Sequence, residues 1–206
     1  MSFTKISLKR FRCFEELELD LSPGVNFFYG TNGSGKTSIL ESIFMFSSGK
    51  SFKSSNITSL INYKFDNFNL KAFDSERGYV AEIQKNINKP ISVQLNNSKI
   101  TTSKLIREFP CSPIHNNTFS FADAPPEFRR KLLDRSIFIA DENFSSTWFS
   151  FYRSLKQRNS SLKKGIRDEI PVWNNSFIKE GESLSRLRRS FFELTLLEFK
   201  NFLNLT

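Results

Sequence analysis

Residues 30–37 read Gly-Thr-Asn-Gly-Ser-Gly-Lys-Thr, between the apolar run Val25-Asn26-Phe27-Phe28-Tyr29 and the segment Ser38-Ile39-Leu40-Glu41-Ser42-Ile43-Phe44-Met45-Phe46. This stretch constrains the fold more tightly than any other. The pattern G-x-x-x-x-G-K-[ST] is the phosphate-binding P-loop, and it works only where a strand turns into a helix. Gly30, Gly33 and Gly35 allow backbone angles closed to other residues, so the loop can curl around an anion. Its successive N–H groups, including those of Thr31, Asn32 and Ser34, then converge as an anion nest. The following helix adds the positive end of its dipole. Lys36 is placed to reach the terminal phosphates and the Thr37 hydroxyl to ligate Mg²⁺. Ile39, Leu40, Ile43, Phe44 and Phe46 lie close to helical spacing, so Val25–Tyr29 is expected as the strand and 38–46 as the helix.

Around this motif the chain divides in character. Alternation over Thr4–Lys9 and at Leu17, Leu19 and Leu21 predicts two strands, and Ser22-Pro23-Gly24 a turn. Phe68–Phe73, Gly78–Gln84 and Ile91–Leu95 are further strands, with a turn at Asn96-Asn97-Ser98. Residues 1–100 therefore read as a β-rich α/β lobe carrying the P-loop, and 101–206 as a mainly helical lobe. In the latter, Phe144, Trp148, Phe151, Leu155 and Leu162 share a rhythm with Phe177, Leu184, Leu187, Phe191 and Leu194. Spacing near 3.5 predicts two long helices packed along one seam, joined by a turn over Lys164–Pro171.

Composition excludes little but directs attention. The net charge is +9, and both halves contribute, with 13 basic against 9 acidic residues in 1–100 and 17 against 12 in 101–206. From Phe151 to Arg167 there are Arg153, Lys156, Arg158, Lys163, Lys164 and Arg167 and no acid. Such a block suits DNA phosphates, or an ordinary solvated helix face. No apolar run approaches the ~18 residues of a membrane span, and the N-terminus has no signal-like apolar core. Cys13 and Cys111 match no metal spacing and read as free thiols of a reduced, cytoplasmic setting. His115, the single histidine, supports neither a metal cluster nor a Ser-His-Asp triad.

Hydrolysis requires more than a phosphate cradle. One stretch, Ile137-Phe138-Ile139-Ala140-Asp141-Glu142, could be a buried strand ending in a metal acid, Asp141, and a base, Glu142. The preceding residues favour a helix instead. Pro125-Pro126-Glu127 makes a helix start, and Phe128, Leu132, Leu133 and Ile137 fit its period. Asp141-Glu142 then caps or begins the next helix. Asn62-Tyr63-Lys64-Phe65-Asp66 lacks the Asn-Lys-x-Asp spacing of guanine readers, which favours adenine.

Several segments, in order, resemble one family. Phe11-Arg12 with Phe14, Ser22-Pro23-Gly24-Val25-Asn26, the P-loop and Leu40-Glu41-Ser42-Ile43 are similar to the RecF proteins, DNA replication and repair ATPases of the ABC/SMC type. Gly49-Lys50-Ser51-Phe52-Lys53-Ser54 resembles their next motif, with Lys53 where arginine is usual. Pro126-Glu127-Phe128-Arg129-Arg130-Lys131-Leu132-Leu133-Asp134 and Leu155-Lys156-Gln157-Arg158-Asn159 continue the resemblance. His115-Asn116-Asn117 departs from it, having Asn116-Asn117 in place of Pro-Glu.

The resemblance implies an ABC/SMC-type ATPase lobe followed by a helical lobe, with ATP and Mg²⁺ at Gly30, Thr31, Asn32, Gly33, Ser34, Gly35, Lys36 and Thr37. It implies a nucleotide contact for Arg12. It further implies binding to DNA at single-stranded gaps and duplex junctions, support of RecA loading with RecR, and an ATP-dependent homodimer. Arg129, Arg130, Arg153, Lys156 and Arg158 are the candidate DNA-facing residues, with helix-seam contacts as the alternative. The family's ABC signature and aspartate-ended Walker B strand find no match in the 206 residues. The chain is thus expected to lack the C-terminal part of the ATPase fold and to need a second half for the composite site. The competing expectations are a compact phosphotransferase using Asp141, or an ATP- and DNA-binding chain that does not hydrolyse.

Overall fold

The computed structural model describes residues 3–112, 114 and 124–204. Two compact units result, Met1–Ile114 and His115–Thr206. The boundary lies past residue 100 because helix α2 (Thr102–Glu108) belongs to the first unit. Its Leu105 and the following Phe109 are buried in that unit's core. His115, Asn116 and Asn117 lie outside the described residues.

The first unit is built on an antiparallel sheet ordered β2-β1-β3-β4-β5-β6. Its strands are β1 (Lys5–Phe11), β2 (Phe14–Asp20), β3 (Asn67–Asp74), β4 (Tyr79–Asn86), β5 (Ser92–Leu95) and β6 (Ser98–Lys99). One face is apolar because the strands alternate. Phe68, Leu70 and Ala72 of β3 are buried, as are Ile6 and Leu8 of β1. Against this face packs α1 (Lys36–Ser48), which contributes Ile39, Met45 and Phe46. Each such side chain, taken fully from water, contributes about 1.5–3 kcal/mol. At the sheet's far end, Asn96 and Asn97 have φ of 47° and 61°. That pair of left-handed residues makes the primed two-residue turn that suits a hairpin, and asparagine tolerates it.

The end of β1 departs from simple alternation. Continued parity would turn Phe11 outward, yet Phe11 is fully buried, edge-on to Phe68 at 5.3 Å between ring centroids. Arg10 has φ 59° and Arg12 has φ 54°. These left-handed residues shift the phase of the strand, sending Phe11 into the core. Two backbone bonds fix them: Asn62 N–H to Arg10 O and Arg12 N–H to Leu60 O, both 2.8 Å.

The strand expected at Val25–Tyr29 is not formed: these residues have no ladder partner among the described strands. Phe27 is 83% and Tyr29 94% exposed, whereas Phe28 packs against the core. A strand exists only through its neighbours' hydrogen bonds, and apolar content alone does not supply them. The preceding turn is held locally, with Asn26 Oδ1 accepting from Ser22 N–H at 2.8 Å and Asn26 Nδ2 donating to Ser22 O at 2.9 Å.

In the second unit, α3 (Pro126–Ala140) starts on proline, as expected, and ends at Asp141. Helices α4 (Phe144–Lys164) and α5 (Ile170–Asn204) are joined through Gly165, which has φ 70°. There Gly165 N–H donates to Leu162 O and Ile166 N–H to Ser161 O, the left-handed stop that glycine permits. The seam predicted from periodicity exists: Phe144, Leu184, Trp148, Phe151, Leu187 and Phe191 pack with Ile137 of α3. It is shorter than predicted, because Leu162 is 45% and Leu194 62% exposed. Helix α5 has 35 residues against 21 in α4, so its last turns extend beyond that partner. Among the described residues no helix is long and apolar enough to cross a membrane.

Candidate nucleotide-binding site

The loop of residues 30–37 takes the shape its glycines allow. Gly30, Gly33 and Gly35 have φ of 146°, 86° and 93°. Gly35 is needed twice over. Its backbone is left-handed, and a Cβ there would stand 2.3 Å from Phe14 Cζ and 2.9 Å from Cys13 Sγ, in the β1–β2 hairpin. Around Gly33 there is open space. Gly35 is the N-cap of α1, so the first helical N–H groups face the loop without a side-chain cap. Lys36 Nζ donates to the carbonyls of Gly30 at 2.9 Å and Thr31 at 2.8 Å. The ammonium thus sits inside the arc of the loop, which Ser34 N–H to Thr31 O closes at 3.3 Å.

Beside the loop lies a cleft of about 550 Å³ lined by Asn32, Gly33, Gly35, Lys36 and Thr37, and from other segments by Arg12, Lys53, Ser59 and Tyr63. A comparable cleft of about 520 Å³ over the sheet carries Lys9, Arg10, Lys71, Lys85 and Lys89. Its lining comes largely from β1, β3 and β4, whose backbone groups pair within the sheet, so the loop cleft is the better candidate for an anion site. Its donors and the lysine fit a polyphosphate, and the exposed Thr37 hydroxyl fits a metal-ligand role.

Residues that the motif alone did not reveal complete this wall. Arg12 Nε and Nη2 donate to Glu41 Oε2 and Oε1, both at 2.8 Å, and Nη1 donates to Ser59 O at 3.3 Å. Glu41 is fully buried on α1 and also accepts from Ser51 Oγ. Ser51 Oγ in turn accepts from the N–H groups of Lys53 and Ser54, each at 2.8 Å. Burial pushes the Glu41 carboxyl up, but the hydrogen bonds of Arg12 and Ser51 and the charges of Arg12 and Lys53 outweigh it and leave it below the ordinary value. The hydrogen bond from Arg12 to Glu41 raises the guanidinium against the opposing effect of burial. The resemblance had singled out Arg12 and the segments that hold Glu41, Ser51 and Lys53, but the pairing of Arg12 with Glu41 had no signal in the chain beyond an acidic residue within the apolar helical run 39–46.

A depressed carboxylate stabilises the fold above its unfolded pKa, and this contribution is lost as pH falls through the folded value. Thermal unfolding between pH 7 and pH 3 should therefore show a steeper loss on the acid side for the wild type than for Glu41→Gln. Parallel curves would remove Glu41 from the acid response.

The other candidates lie elsewhere. Asp141 ends no strand. It caps α3, and its Oδ1 accepts from Asn143 N–H at 2.8 Å, a helix-junction position in place of the strand end on which the catalytic alternative was built. Arg129 and Arg130 are exposed on α3, and Arg153 and Lys156 on α4. Arg158 is half-buried: its Nε donates to Asn174 Oδ1 at 2.7 Å, and its guanidinium stands 5.5 Å over the Phe177 ring. It is therefore a contact of the α4–α5 seam.

Known proteins match this arrangement. The AAA domain family matches residues 5–202. The chain is 35% identical over 199 residues to the DNA replication and repair protein RecF of Pseudoalteromonas translucida, covering 93% of this chain and 54% of that protein. It is 33% identical over 197 residues to the RecF of Cronobacter sakazakii, covering 94% and 55%. The chain thus spans about half the length of the curated relatives it matches. Among solved structures, the recombination mediator protein RecF-ATPrS in the RecFOR pathway superposes with a TM-score of 0.82 at 24% identity, over 93% of this chain and 54% of that one. A structure from work on the ATP-driven dimerization of SMC ATPases gives 0.53 at 23% identity, over 65% of this chain and 98% of that one. These likenesses confirm an α/β ATPase-type lobe followed by packed helices. With residues 5–202 matched, the chain belongs to the AAA domain family, and over nearly its whole length it is similar to the RecF proteins.

Proposed function

We propose that this chain binds ATP with Mg²⁺ at residues 30–37 and binds DNA, serving the replication and repair role of RecF proteins. The observation that carries the reading is the placement of Lys36, its ammonium inside a glycine arc at the start of α1. The loop N–H groups and Lys36 hold the phosphates, and Arg12 flanks them. Among the described residues no group of three or more His, Cys, Asp or Glu could hold a metal alone. Magnesium would therefore take the Thr37 hydroxyl, phosphate oxygens and water, its usual habit with nucleotides. When bound, such an ion would screen phosphate charge, with Thr37 as the protein group that would hold it.

The names of the relatives support a DNA replication and repair role, and the reading adds a cytoplasmic setting and action at single-stranded gaps and duplex junctions. The RecFOR context supports a RecR-like partner and recombinase loading. In this reading an ATP-dependent homodimer and turnover belong to the full-length family, whose composite site needs a signature and a Walker B strand beside the P-loop. Exposed Arg129, Arg130, Arg153 and Lys156 are the DNA-facing set, whereas Arg158 holds the seam.

Fluorescence anisotropy with a gapped duplex, across a salt series, tests the DNA half. If these four cations each neutralise one phosphate, log K should fall against log salt with a slope of about −3 to −4. The slope should fall by about one with each charge removed. No binding at low salt, or a flat dependence, would refute it.

A further inference from the structure

Glu41 is a carboxylate where a helix flank calls for an apolar side chain. It is fully buried between Leu40 and Ser42 on the helix that begins at Lys36. An unpaired charge in such a place is costly, so its partners explain its presence. Arg12 binds both of its oxygens side by side, a geometry available to guanidinium and not to ammonium. Arg12 also keeps a left-handed backbone, φ 54°, that a non-glycine residue adopts at a cost of about 1–2 kcal/mol. Such an outlier persists where its surroundings over-determine it. Here the bonds from Arg12 to Leu60 and Ser59 and the Glu41 pair do so. The guanidinium is still not sealed off: its side chain is 24% exposed and it lines the P-loop cleft.

The same carboxylate has a second branch. Ser51 donates to Glu41 while accepting from the backbone of Lys53 and Ser54. Ser51 therefore sets the turn that brings Lys53 to the same cleft. One buried acid thus organises two cations on a single wall, one directly and one through a hydroxyl.

We propose that Glu41 is a positioning residue for polyphosphate binding, holding Arg12 against the cleft wall and, through Ser51, fixing the turn that presents Lys53. The inference rests on the nucleotide reading above. The neutralising effect of Glu41 on Arg12 works in the opposite direction, since removing the acid makes the cleft more positive. Orientation outweighs neutralisation because a released guanidinium regains rotamer freedom and must be ordered again by the ligand.

The test is a double-mutant cycle on affinity for a fluorescent ATP analogue, with thermal unfolding followed in parallel. Glu41→Gln should weaken binding about ten-fold, the scale of one charge-assisted hydrogen bond. In an Arg12→Ala background the same change should cost no more than about two-fold, the remainder acting through Ser51 and Lys53. Glu41→Asp keeps the charge but withdraws it by one methylene; it should weaken binding as Glu41→Gln does, and it serves if the latter does not fold. Equal losses in both backgrounds would overturn the proposal, since they would mark a general loosening of α1. Unchanged or tighter binding by Glu41→Gln would also overturn it, leaving neutralisation as the only role. Failure of the nucleotide reading looks different: the unmodified chain would not bind, or Lys36→Ala would bind equally well.

Discussion

Replacing Lys36 with alanine should weaken ATP affinity by about 10- to 100-fold, the worth of one hydrogen-bonded charge at 1.5–3 kcal/mol. The structure explains why the loss should be selective. Within the loop the side chain of Lys36 donates to the Gly30 and Thr31 carbonyls. Those bonds lie at an exposed surface, so their removal should move the thermal midpoint little. The anion nest is made of backbone and survives the substitution, which keeps residual binding above zero. Titration of a fluorescent ATP analogue, with circular dichroism as the fold control, reads both quantities. An affinity equal to that of the unmodified chain would remove residues 30–37 as the site.

The largest expected effect on stability comes from Asp134→Ala, which should destabilise the helical unit by about 3–5 kcal/mol. Asp134 is 8% exposed and accepts from Arg188 Nε and Nη2, both at 2.7 Å, and from Trp148 Nε1 at 3.2 Å. One carboxylate therefore ties α3 to α5 and α4. Its loss leaves a partly buried guanidinium and an indole N–H without their acceptor. Among the described residues, the unit's fully buried apolar cluster consists of Ile137, Phe144 and Leu184, a small core beside the three-way polar junction. Asp134→Asn keeps acceptor capacity without charge and should fall between. Urea unfolding followed by tryptophan fluorescence suits the measurement, because Trp148 and Trp173 both lie in this unit. A midpoint within experimental error of the unmodified chain would refute this account of the three-helix junction.

Sequence patterning was informative where the physics is local. The glycines of residues 30–37 demand left-handed backbone, and Gly30, Gly33 and Gly35 have it. The alternation of β1, β3 and β4, the Asn96-Asn97 turn, the proline start of α3 and the break between α4 and α5 are likewise decided within a few residues. The preference for a helix over a catalytic strand at 137–142 followed from period and start signal, and Asp141 as a cap agrees with it. Patterning failed where the outcome depends on neighbours. Val25–Tyr29 has the composition of a strand, but no described strand lies beside it.

The chain's local chemistry thus specified the phosphate loop, the antiparallel strands and the helix rhythm, because backbone sterics and side-chain periodicity act over short spans. Tertiary structure alone decided which charges meet. Arg12 finds Glu41 across 29 residues and Arg188 finds Asp134 across 54, and in both pairs the carboxylate is buried. It also decided that Phe11 turns inward, through left-handed residues pinned by the distant Leu60–Asn62 segment. The reason is physical: a buried ion pair or a displaced strand phase is stable only inside a finished fold, where partners far apart in the chain have already excluded water.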